Sequence, residues 1–183
     1  MTVELETNRL HLRQWREEDL PTFARLNADP EVMRYFPTPL SRTESDFFAE
    51  KCRRIISKKG WGFWALELKE SGEFIGFTGL NEPSSPLSFS PCVEVGWRLI
   101  RNAWRKGYAT EAATESLKFA FGDLNLDDVI SFTAVANARS RAVMERLGFT
   151  NTDQNFLHPD IPQGHSLAEH VLYKITRSTW QAG

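Results

Sequence analysis

The sequence is poor in cysteine, in long apolar runs and in excess charge of either sign. Cys52 and Cys92 are its only cysteines among 183 residues, too few for a disulfide framework, so reduced thiols in a cytoplasm are expected. No run approaches the ~18 apolar residues of a membrane span. The first residues do not join a basic region to an apolar one, so no secretory signal is expected. A net charge of −2 argues against a general nucleic-acid binder.

Two common nucleotide-binding signatures are also missing. Neither a GxxxxGK[ST] run nor a GxGxxG run occurs, so the loops that most often hold nucleotide phosphates are not indicated. The composition is otherwise ordinary, with 41% hydrophobic and 25% charged residues. Together with the chain length, these values predict one globular domain over residues 1–183, large enough to bury a substantial core.

The stretch from residue 93 to residue 120 organises the rest of the chain. Residues 93–100 mix β-branched, aromatic and aliphatic side chains and predict a strand, and apolar residues recur at helical spacing after residue 108. A basic turn containing Gly107 and Ala109 opens that helix. Four cations lie in or beside the turn: Arg98, Arg101, Arg105 and Lys106. Because a helix start carries free N–H groups and partial positive charge, this turn predicts a pyrophosphate site.

Turn residues and hydrophobic periodicity predict further elements on both sides of this stretch. Asp19 is the expected N-cap of a first helix, and Ser41 with Glu44 forms a capping-box pattern at a second. Gly60 and Gly148 are expected helix ends. Strands are expected at residues 10–15, 61–68, 73–80, 129–135, 150–156 and 170–176, a short helical turn at 31–35, and a helix at 137–147. The order β-α-α-β-β-β-α-β-α-β-β predicts an α+β fold around one mixed sheet.

Two segments resemble motifs of a known family. The segment Trp104-Arg105-Lys106-Gly107-Tyr108-Ala109 is similar to the Q/R-x-x-G-x-G/A pyrophosphate motif of the GCN5-related N-acetyltransferases (GNAT). It is most similar to the branch of the ribosomal-protein N-acetyltransferases RimJ and RimL, in which glycine often stands at the position of Arg105. Residues 137–149 are similar to the family segment N-x-x-S-x-x-[VL]-x-x-[KR]-[LA]-G-F. A capped helix alone would explain Asn137 and Gly148, but not Ser140.

The resemblance implies the GNAT fold, a single mixed and mostly antiparallel sheet with splayed central strands flanked by helices. It implies an N-acetyltransferase that moves an acetyl group from acetyl-CoA to a primary amine by direct attack in a ternary complex. The pantetheine arm would enter the gap between the splayed strands, with Asn137 beside it. Other implied cofactor contacts are the backbone near Trp97, Leu99 and Ile100 and the loop of Arg105, Lys106, Gly107, Tyr108, Ala109 and Thr110.

Glu94 and Ser140 are the candidate catalytic residues. An α-amine with a pKa of ~8 is partly neutral at pH 7, whereas a lysine amine near ~10.4 is not, so a modest base suffices for an N-terminal acceptor. Glu94 points away from the face that Val93 and Val95 bury and is the candidate base, directly or through water. The alternative is a solvated or arginine-paired carboxylate. Ser140, or water, is the candidate proton donor to the thiolate, since Met144 replaces the tyrosine of many relatives.

Three histidines near the C-terminus raise the question of a metal site. The spacing of His158, His165 and His170 fits no zinc pattern, so a wall of the acceptor site or a structural role is favoured and no metal is expected. Tyr35 and Phe36 are further candidates for that wall. The sequence leaves open the acceptor amine, the choice between monomer and homodimer, and the length of the acyl group. A non-catalytic acyl-CoA-binding module is the competing hypothesis.

Overall fold

The structure, a computed structural model, describes residues 2–182 and contains five α-helices, two short 3-10 helices (Glu17–Asp19 and Arg101–Ala103) and nine strands in that range. The strands are β1 (Leu5–Glu6), β2 (Leu10–Arg13), β3 (Phe63–Leu68), β4 (Phe74–Asn81), β5 (Glu94–Leu99), β6 (Asp128–Ala134), β7 (Thr150–Asn151), β8 (Phe156–Leu157) and β9 (Glu169–Thr176). The helices are α1 (Leu20–Ala28), α2 (Arg42–Lys59), α3 (Tyr108–Gly122), α4 (Ala138–Arg146) and α5 (Arg177–Ala182). None of these five helices has the length and apolar character needed to cross a bilayer.

The strands form one mixed sheet in the order β1-β2-β3-β4-β5-β6-β9-β7, and β8 also pairs with β9. Every described pairing is antiparallel except that of β5 with β6. The predicted α+β architecture and the mixed, mostly antiparallel sheet are therefore confirmed. The parallel pair lies at the centre of the sheet, where the chain crosses over through α3.

Helices cover the two faces of the sheet. Phe23 of α1 and Phe48 of α2 pack near Phe77 of β4, with ring centroids 6.0 Å and 5.4 Å from it. On the other face, Phe119 of α3 packs edge-on against Trp64 of β3 at 5.8 Å. Buried apolar side chains continue through both layers as one cluster. The central strands are thus held from both sides, which fixes the position of any gap between them.

Short polar and glycine signals set the helix ends as predicted. The N–H of Glu44 donates to Ser41 Oγ at 3.3 Å, and the N–H of Ser41 donates to Glu44 Oε2 at 2.7 Å, which completes the capping box of α2. Gly60 and Gly148 adopt φ values of 88° and 86° after α2 and α4. Glycine occupies this left-handed region at little cost, so both residues terminate their helices.

Some sequence-based expectations are wrong in detail. Asp19 is the N-cap residue of α1, as expected, but its side chain does not cap the helix, because its carboxylate accepts hydrogen bonds from Arg13 Nη1 and Nη2, each at 2.8 Å, in a buried ion pair. Residues 31–35 form hydrogen-bonded turns, consistent with the expected short helical turn, in which the N–H of Met33 donates to Asp29 O at 2.9 Å. The strand expected at 150–156 divides into β7 and β8, because Asp153 between them has a positive φ of 55°. The additional elements β1 and α5 are too short to show a hydrophobic period.

Candidate active site

The central strands β5 and β6 pair only where they begin. They share one register pair, Glu94 with Ile130, and the N–H of Ile130 donates to Val93 O at 3.0 Å. Further along, it is the hydroxyl of Ser131 and not a backbone amide that donates to Val95 O, at 3.0 Å. Beyond this point the strands separate and border a cavity of about 690 Å³. A cavity of this size is typical of cofactor and ligand sites.

The edge of β5 beside this gap presents backbone groups to the cavity. Carbonyl groups of Val93 and Val95 face β6, as their hydrogen bonds show, and Leu99 O accepts from the indole Nε1 of Trp104 at 2.9 Å. Backbone groups alternate in direction along a strand, so the N–H and carbonyl of Trp97, two residues after Val95, face the gap as well. Trp97 and Leu99, both expected cofactor contacts, therefore lie where an extended ligand would pass.

Ile100 does not share this position. Its N–H donates to Ile75 O and its carbonyl accepts from the N–H of Ala103, both at 3.0 Å. It also does not contribute to the cavity wall. The contact of Ile100 with the cofactor stays a prediction, and its backbone groups are less accessible than those of Trp97 and Leu99 because they are already engaged by β4 and by the following turn.

The turn before α3 leaves backbone N–H groups free. Gly107 is the N-cap of α3 with a φ of 81°, and no side chain of the described residues caps the helix. Its first N–H groups are therefore available to an anion. Arg105 also has a positive φ, 60°, which costs a non-glycine residue roughly 1–2 kcal/mol. The cavity wall includes Arg105, Gly107, Tyr108, Ala109 and Thr110, whereas the exposed Lys106 does not line it.

Two of the four cations counted around this turn are directed elsewhere. Arg101 forms an ion pair with Asp29 at 2.7 Å, and Arg98 donates from Nη1 to Asn27 Oδ1 at 2.7 Å. Both partners lie at the C-terminal end of α1, where carbonyl groups favour cations. Of the four cations near the turn in sequence, Arg105 is therefore the one that lines the cavity beside the free N–H groups.

Arg98 instead belongs to an aromatic part of the cavity. Its guanidinium carbon lies 4.2 Å from the centre of the Phe36 ring and 5.4 Å from that of Phe77. Burial lowers the pKa of Arg98 to about 10, and its Nε is buried without a hydrogen-bond partner among residues 2–182. Aromatic faces stabilise a guanidinium at such distances. The side chain therefore holds the loop of Phe36 against β4 and β5.

A contact that the sequence did not reveal braces the turn from outside. Glu111, in the first turns of α3, accepts hydrogen bonds from Thr7 Oγ1 at 2.5 Å and from Arg9 Nε at 2.7 Å. Burial raises the pKa of Glu111, but these hydrogen bonds and the charge of Arg9 outweigh burial and hold the pKa below its ordinary value. The guanidinium of Arg9 also lies 4.5 Å from the centre of the Tyr108 ring. The start of α3 is thus tied to the β1–β2 turn.

Glu94 lies at the start of β5 and lines the cavity. The next residue, Val95, is buried on the opposite face, as the predicted alternation requires. Asn81 Nδ2 donates to Glu94 Oε1 at 2.8 Å, and no arginine of the described residues forms an ion pair with this carboxylate. Burial raises the pKa of Glu94 to about 7, and the Asn81 hydrogen bond opposes that rise. A carboxyl group that titrates near neutral pH suits a general base.

Asn137 caps α4 and orients Ser140. Its Oδ1 accepts from the N–H of Ser140 at 3.3 Å, and its Nδ2 donates to Thr133 Oγ1 at 2.8 Å and to Ser140 Oγ at 3.1 Å. Both Nδ2 hydrogens are then used, so the amide of Asn137 offers a ligand only its oxygen. Ser140 Oγ keeps its own hydrogen for a partner in the cavity. Met144 is buried and lines the same wall, but its thioether cannot donate a proton.

Two of the three histidines line the cavity. His158 and His170 belong to its wall, as do Tyr35 and Phe36, while His165 is exposed and does not. Within residues 2–182, no group of three or more histidine, cysteine, aspartate or glutamate side chains is placed to hold a metal ion. His158 and His170 therefore stay candidates for the wall of an acceptor site, and His165 is left with the structural role.

Comparison with known proteins adds to this geometry. Residues 9–150 match the model of a family described as the acetyltransferase (GNAT) domain. An Aspergillus fumigatus protein named FsC-acetyl coenzyme A-N(2)-transacetylase is 34% identical in an alignment of 185 residues, gaps included. The alignment covers 96% of this chain and 77% of that protein. The matched family range includes both segments that carry the motif resemblance.

Solved structures share the fold. An acetyltransferase from Agrobacterium tumefaciens is 30% identical, with a TM-score of 0.76 over 96% of this chain and 95% of that one. A GNAT-family acetyltransferase from Bacillus anthracis has a TM-score of 0.79 at 22% identity, over 96% of this chain and 99% of that one. The second likeness, at this identity, concerns the fold alone.

Proposed function

The chain belongs to the family of GNAT acetyltransferase domains and is an acyltransferase, and we propose that it moves an acetyl group from acetyl-CoA to a primary amine. The acceptor is either a protein N-terminus or a small-molecule amine. Placement in the RimJ/RimL branch is part of the same proposal and rests on the two motif segments. A cytoplasmic location, inferred from the two unpaired cysteines, is proposed with it.

One observation carries this proposal. The free N–H groups at the start of α3, the open edge of β5, Glu94 and Ser140 all border one cavity. An anion at the helix start, an extended chain along β5 and an amine near Glu94 would therefore occupy adjoining parts of it. A binding site for phosphate alone would not require the gap between β5 and β6 or a carboxyl group with a pKa of about 7.

The residues present fit acetyl-CoA. Backbone groups of Trp97 and Leu99 would pair with the amides of the pantetheine arm as an added strand does. The N–H groups of Tyr108, Ala109 and Thr110, with Arg105, would hold the pyrophosphate. The name of the Aspergillus fumigatus relative, which specifies acetyl coenzyme A, supports the same donor.

Bound acetyl-CoA supplies the acetyl thioester. Glu94 would accept a proton from the acceptor amine, directly or through water, so that the neutral nitrogen attacks the acetyl carbon. As the new carbon–nitrogen bond forms and the carbon–sulfur bond breaks, Ser140 or water would protonate the leaving sulfur. The same group would regain a proton from the acceptor nitrogen, which loses its second proton as it becomes an amide, and Glu94 would release the first proton to solvent. An ordinary thiol has a pKa of ~8.5, so a weak donor suffices. Asn137 would hold Ser140 in place through the bonds described above.

A direct test compares transfer with binding. Wild-type protein with acetyl-CoA and a panel of primary amines should release CoA thiol only with certain acceptors, and mass spectrometry should show one acetyl group on the product. A non-catalytic module, the competing hypothesis, would bind acetyl-CoA in calorimetry without acceptor-dependent release. Absence of acetyl-CoA binding would refute both hypotheses.

Arg105→Ala should weaken the binding of CoA about tenfold, the size expected for one charge-assisted hydrogen bond at a partly solvated site. Binding of pantetheine, which has no phosphate, should change much less. Isothermal titration calorimetry with both ligands measures the difference, and Arg54→Ala, an exposed arginine on α2, is the matched control. Equal losses for CoA and pantetheine would mean that Arg105 does not contact the phosphates.

A further inference from the structure

His158 and His170 form a pair on the cavity wall that the proposed chemistry does not use. His158 follows β8 and His170 lies in β9, and the pairing of these strands brings the two ring centroids to 4.9 Å. Phe132 of β6 lies 5.8 Å from the first ring and 6.1 Å from the second. Since Glu94 borders the same cavity, the pair faces the space where an acceptor would lie.

Backbone contacts fix which nitrogen of each ring carries hydrogen. Nδ1 of His170 lies 3.3 Å from the carbonyl oxygen of Ala168, and since a carbonyl only accepts, Nδ1 must donate. The N–H of Asp160 donates to Nδ1 of His158 at 3.2 Å, so this nitrogen must accept. In the neutral rings, Nε2 of His170 is then an acceptor and Nε2 of His158 a donor.

Burial favours the uncharged form of both rings. Burial lowers the pKa of His170 to about 4, and the neighbouring His158 lowers it further in the same direction. Burial also lowers the pKa of His158 below 6.5, against the opposing charge of Asp160. His170 is 7% exposed, so a polar group placed next to its Nε2 has little water to replace a missing partner.

From this arrangement we infer that His158 and His170 bind an uncharged group of the acceptor that donates and accepts hydrogen bonds at one edge, of which a primary amide and a hydroxyl are the simplest examples. This inference rests on the proposed function, because it names the acceptor class for that site. A second ammonium group could donate to Nε2 of His170 but would leave the N–H of His158 without an acceptor, and a carboxylate could accept from His158 but would leave the lone pair of His170 without a donor. The pair therefore selects against diamines and amino acids in favour of amino amides and amino alcohols.

Acceptor selectivity tests the inference. A homologous series of ω-amino amides and ω-amino alcohols should be acetylated with kcat/KM about 10- to 100-fold above diamines, ω-amino acids and alkylamines of equal length, the range expected when a buried polar group gains or lacks its partner. His170→Phe keeps an aromatic ring and should abolish this preference. His170→Gln, which offers an acceptor oxygen, should restore part of it through KM. Equal kcat/KM across the series would overturn the inference.

His165→Phe is the matched control, because it makes the same substitution at an exposed histidine in the loop between β8 and β9, outside the cavity wall. It should retain the wild-type preference. If His165→Phe loses selectivity as His170→Phe does, the effect belongs to the loop and not to the pair, and the inference is wrong. Thermal melts of all three variants identify any that fail to fold.

Nitrogen-15 NMR of the imidazoles tests the same point without turnover, so failure of catalysis and failure of this inference remain distinguishable. At pH 7, His170 should show the Nδ1–H tautomer and His158 the Nε2–H tautomer. Adding an ω-amino amide to the protein with CoA should shift both Nε2 signals, and the matching alkylamine should not. The same tautomer in both rings, or equal shifts with both ligands, would contradict the inference.

Discussion

Glu94→Gln should lower turnover of a confirmed acceptor about 10²- to 10⁴-fold, the range that general base catalysis contributes, with nearly unchanged affinity for acetyl-CoA. Glutamine keeps the shape and an oxygen that can accept from Asn81 Nδ2, but it takes up no proton near neutral pH. Wild-type kcat/KM should rise with pH through about 7, where Glu94 loses its proton. The Glu94→Gln variant should not show this rise of kcat/KM near pH 7.

The difference in turnover between the wild type and Glu94→Gln should become smaller as the pH approaches the pKa of the acceptor amine, ~8 for an α-amine. At that pH more of the acceptor is already neutral and needs no base. A pH–rate profile of the variant that superimposes on that of the wild type would remove Glu94 from the mechanism. The next candidates would then be His158, His170 or an amine that needs no base. Ser140→Ala is the comparison variant and should show a smaller loss, greatest for acyl donors with poor leaving thiolates.

Stability provides an independent check on the state of Glu94. Its folded-state pKa, about 7, lies above the ordinary value of 4.5, so the folded protein binds the proton more tightly than the unfolded chain does. The free energy of unfolding should therefore fall as pH rises from 4.5 through about 7. Glu94→Gln should lose this contribution and gain stability relative to the wild type at pH 8. Thermal melts of both proteins at pH 5 and pH 8 measure the difference.

Features that depend on a few neighbouring residues were accessible from the sequence. Ser41 and Glu44 form their box within one turn, and Gly60 and Gly148 end helices through their own φ angles. The alternation of Glu94 and Val95 follows from strand geometry alone. These signals also fixed the order of elements closely enough for the α+β class to be predicted.

Features that depend on distant partners were not accessible. Arg98 and Arg101 looked like part of one cationic cluster, but Asn27 and Asp29, about 70 residues earlier, determine where they point. The brace at Glu111 joins residues more than 100 positions apart. Burial, which shifts the pKa of Glu94, requires the packed fold. The local sequence pattern contains no information about such long-range contacts. A count of charges that are close in sequence therefore overestimates how many of them point to the same site.

Gly107→Glu should abolish acetyl-CoA binding, with an affinity loss of about 10²- to 10³-fold or more. Gly107 has a φ of 81°, and a Cβ added there would meet Arg9 Nη2 at 3.4 Å, so the chain has space for a side chain beside the free N–H groups of α3. A carboxylate within ~4 Å of a phosphate group repels it by about 4 kcal/mol at an effective dielectric constant of 20. The glutamate carboxylate would also compete with the phosphates for hydrogen bonds from the N–H groups of Tyr108 and Ala109.

Gly107→Gln separates charge from backbone strain in this experiment. Glutamine has the size of glutamate and the same disfavoured positive φ, which costs roughly 1–2 kcal/mol of stability in both variants. Without the charge, it should bind CoA several-fold more weakly than the wild type but far more tightly than the glutamate variant. Calorimetry on both variants, after matched thermal melts, measures this contrast. The contrast between the two variants depends on the charge of the phosphates. Equal and modest losses of affinity in both variants would mean that the phosphates do not lie near Gly107, and would contradict the pyrophosphate site proposed for residues 105–110.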